Sequence, residues 1–219
     1  MLTHCDVLVI GGGPAGSTCA RLLAEKGFHV IMLEKEEHPR FHIGESLLPA
    51  NMPLLERLGV AEEIKKIGML KLGIEFNSPE HDHVSQIEFS ESWNKELSWA
   101  YQVRRSEFDE ILFRNAASKG VQTLENCRVR DFEMDDNHAA PIRIRAEMHT
   151  GQTKSFEAKF IVDASGRDTF LANKYKTKQK DKKHSSSAIF GHFAHATRLP
   201  GDKEGYISIF WFEHGWFWF

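Results

Sequence analysis

Asp6-Val7-Leu8-Val9-Ile10-Gly11-Gly12-Gly13-Pro14-Ala15-Gly16 is the stretch that decides the fold. Its first five residues make an apolar run the length of one buried strand, and the glycines after them force a tight turn. From Ser17 to Lys26 apolar side chains recur at helical spacing until Gly27, and His29-Val30-Ile31-Met32-Leu33 reads as a second buried strand ending at Glu34. Strand, glycine turn, helix and strand compose a βαβ unit, which implies a parallel sheet. Gly11, Gly13 and Gly16 have the GxGxxG spacing. Glycine is needed at each place: for the turn, for close backbone approach to a pyrophosphate, and for tight packing of helix on strand. The anion would rest on unpaired N–H groups at the helix start, around Pro14, Ala15 and Gly16. Glu34 stands where an acid can accept hydrogen bonds from ribose hydroxyls. The alternative is a glycine turn with no ligand, and the motif alone suits either a nicotinamide or a flavin dinucleotide.

Outward from this unit, Ser46 to Ile67 reads as helices interrupted by Pro49, Pro53 and Gly59. Short alternating segments follow, such as Gly73-Ile74-Glu75-Phe76 and Gln86-Ile87-Glu88-Phe89, implying a small antiparallel sheet. Ser106 to Lys119 returns to helix, with Phe108, Ile111, Leu112 and Ala116 on one face and Ser106 as N-cap. Strands are expected around Val121–Val129, Ile142–Met148 and Phe156–Val162, then at Ala188–Ala194 and Tyr206–Phe212. The aromatic run to Phe219 ends in mid-strand, so the chain reads as cut short.

Composition narrows the function classes. The 219 residues, 41% of them hydrophobic, can bury a sizeable core, and 28 basic against 31 acidic side chains give a net charge of -3. No basic field exists to hold nucleic acid or an anionic membrane. Three scattered cysteines, Cys5, Cys19 and Cys127, fit reduced thiols in a cytoplasmic protein, and no stretch is long and apolar enough for a transmembrane helix. His81-Asp82-His83 lacks a third ligand and reads as a solvated loop, so no metal is expected. The lysine-rich Lys174–Lys183 reads as a solvated loop or a contact for an acidic partner.

Four segments in order, Gly11 to Gly16, Arg40-Phe41-His42-Ile43-Gly44-Glu45-Ser46-Leu47-Leu48-Pro49, Val103-Arg104-Arg105-Ser106-Glu107-Phe108-Asp109 and Asp163-Ala164-Ser165-Gly166-Arg167, resemble the flavin monooxygenases of the hydroxybenzoate-hydroxylase fold. Within them the chain most resembles the N-terminal part of the flavin-dependent halogenases of phenol and pyrrole type. Gly215-Trp216-Phe217-Trp218-Phe219 is similar to the start of their WxWxIP signature. The resemblance implies an α/β fold in which a Rossmann-like FAD-binding domain with a parallel sheet, residues 1–75 and 100–170, interleaves with a mostly antiparallel substrate domain, residues 76–99 and 171–219.

It also implies FAD supplied reduced as FADH2, with oxygen and halide as co-substrates, a separate flavin reductase, and an electron-rich aromatic or carrier-protein-tethered small molecule as substrate. Halide would be oxidised to hypohalous acid, and Lys71 matches the lysine that guides the electrophilic halogen. Its bland alternative is an exposed surface lysine. Gly11, Gly13, Pro14, Ala15, Gly16, Glu34, Lys35, Arg40, Ser46, Arg105, Asp163 and Gly166 are the implied FAD contacts, Arg105 by bidentate reach to phosphate or ribose. Glu45 and Ser46 could instead cap the next helix, and Asp163 with Gly166 could be a turn. Trp216 and Trp218 share a strand face that reads as a buried core strand and that, by the resemblance, would also partition flavin from substrate; the two readings are compatible. The family's second flavin motif falls beyond Phe219, so weak FAD binding is expected of this chain. A monooxygenase or geranylgeranyl-reductase-like enzyme, and an inactive FAD-domain fragment, remain the alternatives.

Overall fold

The computed structural model describes residues 2–135, 140–181, 183 and 186–219; Lys182 of the lysine-rich stretch lies outside them. Two compact units form, Met1–His42 with Ser106–Ser186, and Ile43–Arg105 with Ser187–Phe219.

In the first unit the apolar run becomes strand β1 (Leu2–Ile10), followed by helix α1 (Pro14–Glu25) and strand β2 (Val30–Leu33). α1 starts at Pro14, earlier than its apolar periodicity begins, because proline is suited to a first helical position where an N–H would be orphaned. β1 pairs in parallel with β2 and with a strand from far along the chain, β10 (Thr153–Asp163). Alternate β1 residues serve opposite faces: Leu8 and Ile10 join one buried cluster with Ile144 and Phe156, while Val7 and Val9 join another with Ala20 and Phe113. Leu8 and Val9 are fully buried, each contributing about 1.5–3 kcal/mol. Only small residues, Gly16, Ser17 and Ala20, are buried on α1, which lets the helix lie close to the sheet.

The sheet grows to six strands, the remainder being β7 (Gln122–Leu124), β8 (Cys127–Glu133) and β9 (Ile142–Met148), in the order β7-β2-β1-β10-β9-β8. The expected single strand Val121–Val129 is thus two, broken where Asn126 takes a positive φ of 56°. Before β7 comes helix α4 (Arg105–Ser118), preceded in the chain by α2 (Met52–Leu58) and α3 (Ala61–Ile67) of the second unit. Ser106 lies inside its first turn rather than capping it. Helix α5 (Phe170–Lys174) follows β10, and Phe170 and Leu171 pack on the sheet's core.

The second unit contains helices α2 (Met52–Leu58) and α3 (Ala61–Ile67) and two small sheets. One pairs β3 (Met69–Lys71) with β6 (Ala100–Gln102). The other has the order β12-β11-β4-β5, from β4 (Gly73–Ser78), β5 (His83–Glu88), β11 (Ile207–Phe212) and β12 (Gly215–Trp218). Its pairs are antiparallel except β4 with β11. Phe89 leaves the expected strand for a short 3-10 turn.

The unit limits depart from the expected domain limits. Residues 43–75 and 100–105 belong with the second unit, because β3 and the 45–47 segment both pair with β6; residues 171–186 belong with the first, where α5 packs. No strand forms over Ala188–Ala194 either. The segment joins no strand ladder among the described residues, and Ile189 and Phe193 stand in solvent.

Gly16 is a packing requirement. A Cβ there would lie 1.9 Å from the Gly11 carbonyl oxygen, so Gly16→Ala should destabilise the chain by about 2 kcal/mol or more, read as a lowered denaturant midpoint. An unchanged midpoint would contradict the close helix-to-strand packing.

Candidate functional site

Parallel pairing places Ile10 opposite both Leu33 and Asp163, so the carboxyl ends of β1, β2 and β10 lie side by side. The Gly11 N–H donates to the Leu33 carbonyl and the Ala164 N–H to that of Ile10, which sets the glycine turn, Glu34 and the Asp163 turn on one edge. Ligands of open parallel sheets bind at such edges, where connections leave to opposite sides.

At the start of α1 no side chain caps the helix and no acid lies in its first turn. Gly13 is half-buried and Ala15 exposed, and a Cβ on Gly13 would meet nothing nearer than the Arg40 Nη2 at 3.5 Å. The first turn therefore offers open backbone and uncompensated positive dipole, which fits a pyrophosphate. The Glu34 carboxylate, almost wholly buried, accepts from the Gly12 N–H at 2.7 Å and the Glu36 N–H at 3.0 Å. It braces the glycine loop and keeps lone pairs for a hydroxyl.

Arg40 lies over this turn, donating to Asp109 Oδ2 at 3.0 Å and approaching Glu34 Oε2 at 3.5 Å. Asp109 and the Phe113 ring, against which Gly12 packs, escaped the sequence reading. The signal for Asp109 was present: it shares the buried face of α4 with Phe108, Leu112 and Ala116, and a carboxylate on an apolar face needs a partner.

Other expected contacts are engaged within the protein. Lys35 pairs with Asp168 at 2.6 Å and holds that carboxyl below the usual range. Asp163 accepts from the N–H groups of Ser165 and Leu171, and exposed Gly166, at a φ of 62°, follows in a 3-10 turn. In the second unit Arg105 donates to the Ile43 carbonyl at 2.8 Å.

Lys71 ends β3 and is completely buried, among the largest fully buried side chains of the described residues, so it is no surface lysine. β6 is paired on both edges, by β3 through Lys71 and Ala100, and by the 45–47 segment through the Leu47 and Val103 N–H groups. That arrangement brings Lys71 Nζ within 2.6 Å of Ser46 Oγ and 2.5 Å of the Leu47 carbonyl, and 5.3 Å from the centre of the Phe89 ring. Among the described residues no carboxylate pairs with it, and burial pushes the ammonium down to about 8. Ser46 thus faces Lys71 instead of capping a helix.

In β12, Trp216 lies opposite Trp211 and Trp218 opposite Ile209, so both indoles share a face. They are 58% and 57% exposed.

Comparison with known proteins shows the family of the chain. The model of the FAD binding domain family matches residues 4–212. A flavin-dependent halogenase, armH4, of Armillaria mellea is 37% identical, over 99% of this chain and 43% of the relative. A 1H-pyrrole-2-carbonyl-[peptidyl-carrier protein] chlorinase of Pseudomonas fluorescens is 35% identical, over 93% of this chain and 49% of the relative. The solved myxobacterial chondrochloren halogenase superposes with a TM-score of 0.82 at 33% identity, over 99% of this chain and 49% of that one. The chain spans less than half the length of each of these three proteins.

The burial of Lys71 makes stability depend on pH in a defined way. Its folded value, about 8, lies below the usual 10.5, so the cost of burying the charge is complete below pH 8 and is relieved as pH rises towards 10.5. Lys71→Met lacks this dependence. Between pH 8 and 10.5 the wild-type chain should gain roughly 3 kcal/mol relative to Lys71→Met in denaturant titrations. A gap that does not move with pH would mean that Lys71 is not desolvated.

Proposed function

This chain belongs to the FAD binding domain family, and on that premise we propose that it is the FAD-holding part of a flavin-dependent halogenase acting on an electron-rich aromatic or carrier-tethered small molecule. The observation that carries the reading is Lys71, a completely buried amine with no carboxylate partner among the described residues. Burying a lone ammonium is costly, and a fold that does so gains an amine accessible near neutral pH.

When bound in reduced form, FAD supplies the two electrons with which oxygen and halide give hypohalous acid. The start of α1 would hold the pyrophosphate, with Gly11, Gly13, Pro14, Ala15 and Gly16 forming the cradle and Glu34 accepting from the ribose. Arg40 keeps Glu34 and the glycine loop in register through Asp109. Lys35, Asp163 and Gly166 shape the loops beside the cradle through their own protein contacts. Arg105 fixes the 43–44 backbone ahead of Ser46.

Lys71 would donate a hydrogen bond to hypohalous acid, or carry the halogen on its amine, and so deliver it to substrate. Trp216 and Trp218 would form part of the wall that separates the flavin from substrate and prevents direct oxygen transfer. A separate reductase would supply FADH2. The cytoplasm is the compartment in which such a reductant persists, and the free thiols of Cys5, Cys19 and Cys127 support it; among the described residues no helix is long and apolar enough to cross a membrane.

Two experiments test the reading. With FAD, a flavin reductase, oxygen and a phenolic or pyrrolic probe, brominated product should form only when bromide is present; hydroxylated product independent of halide would instead establish a monooxygenase. Gly13→Ala has room for its methyl group, so its folding should match wild type while FAD affinity falls about tenfold, as a flavin fluorescence titration would measure. Unchanged affinity would place the dinucleotide elsewhere.

A further inference from the structure

Lys71 has three partners, and they differ in what each can do. An ammonium has three donors, and here they are met by the Ser46 hydroxyl, the Leu47 carbonyl and the face of Phe89. Once a proton leaves, the amine carries a lone pair that needs a donor. A carbonyl cannot donate, and neither can the face of a phenylalanine ring. Ser46 can, because a hydroxyl accepts or donates by rotating.

Exposure separates the three in the same way. Lys71 and Leu47 are buried, whereas Ser46 is half-buried and, among the described residues, its hydroxyl bonds to no other protein group. Titratable groups on the surrounding elements are otherwise placed. They are Glu45 beside Ser46, Tyr101 on β6, Glu88 and Glu91 flanking Phe89, and Lys203, Glu204 and Tyr206 around Gly205, whose position packs on the Lys71 backbone. None bonds to Nζ; Lys203 donates to Gln86 and Glu204 pairs with Arg198.

We infer that Ser46 is the positioning residue of Lys71 and its port for proton exchange, holding Nζ in both protonation states and linking the buried amine to water. In the outward step one N–H bond of the ammonium breaks as its proton forms a bond to Ser46 Oγ. The original Ser46 proton passes to a water on the exposed side. The new O–H then points at the lone pair of the neutral amine, so the hydrogen bond persists with its direction reversed. This deepens the proposed function and rests on it for its relevance to halogen delivery, but the geometry stands on the Ser46–Lys71 contact alone.

The test reads the lysine rather than turnover, so a failure of halogenation and a failure of this inference are separate results. In the chain carrying 13C- and 15N-labelled lysine, the Lys71 signal is identified by its loss in Lys71→Met and followed against pH. Removing an acceptor from the ammonium should lower the Lys71 midpoint in Ser46→Ala by about 1 pH unit and slow exchange of its Nζ protons about tenfold. Ser46→Thr, which keeps a hydroxyl, should return both to the wild-type values, and Ser46→Val, which has the shape of threonine without the hydroxyl, should behave as Ser46→Ala and replaces it if the alanine variant does not fold. A midpoint and exchange rate unchanged in Ser46→Ala or Ser46→Val, or no recovery in Ser46→Thr, would overturn the inference.

Discussion

Parallel pairing of β1 with β2 on one edge and β10 on the other is the constraint on which the first unit depends. It is a non-local contact, joining Ile10 to Asp163 across most of the chain, and it must form before the glycine turn has a neighbour on each side. Once it forms, hydrogen bonds from Gly11 to Leu33 and from Ala164 to Ile10 fix three loops on one edge. The proposed cofactor cradle follows from strand register, with backbone N–H groups as its main donors. Charged side chains there mostly brace one another: Arg40 lies between Asp109 and Glu34, and Lys35 against Asp168.

The second unit follows a different logic. Its central element is the short strand β6, which takes Lys71 on one edge and the Ser46–Leu47 segment on the other. Main-chain pairing therefore forces an amine into a place with only neutral partners. An ion pair would have held the ammonium charged and inert; a hydroxyl and a carbonyl leave its protonation adjustable. The fold accepts a stability cost at this position, the pattern expected where function opposes packing.

Much of the first unit was legible in the sequence because the glycine turn and its flanking strands obey local rules. GxGxxG spacing, apolar runs of strand length and an acid after the second strand leave few alternatives. The Lys71 environment was not legible in those terms: nothing in Leu70-Lys71-Leu72 says that the middle side chain is buried, because its burial is set by β6, some thirty positions away in the chain. Only resemblance pointed to it. The expected strand at Ala188–Ala194 failed for a related reason, since alternation of apolar residues states a preference but supplies no pairing partner. Asp109 could have been found, as an acid on an apolar helix face, and Ser46 was noticed for the cofactor rather than for the lysine it contacts.

The central claim is that the buried amine of Lys71 delivers halogen to substrate. It is tested most directly by comparing wild type and Lys71→Met, both loaded with FAD and fed by a reductase in bromide, for hypobromous acid released into a scavenger and for brominated substrate. The account predicts that the variant still releases hypobromous acid while brominated product falls by on the order of a hundredfold or more. Brominated product at the wild-type rate from Lys71→Met would contradict it.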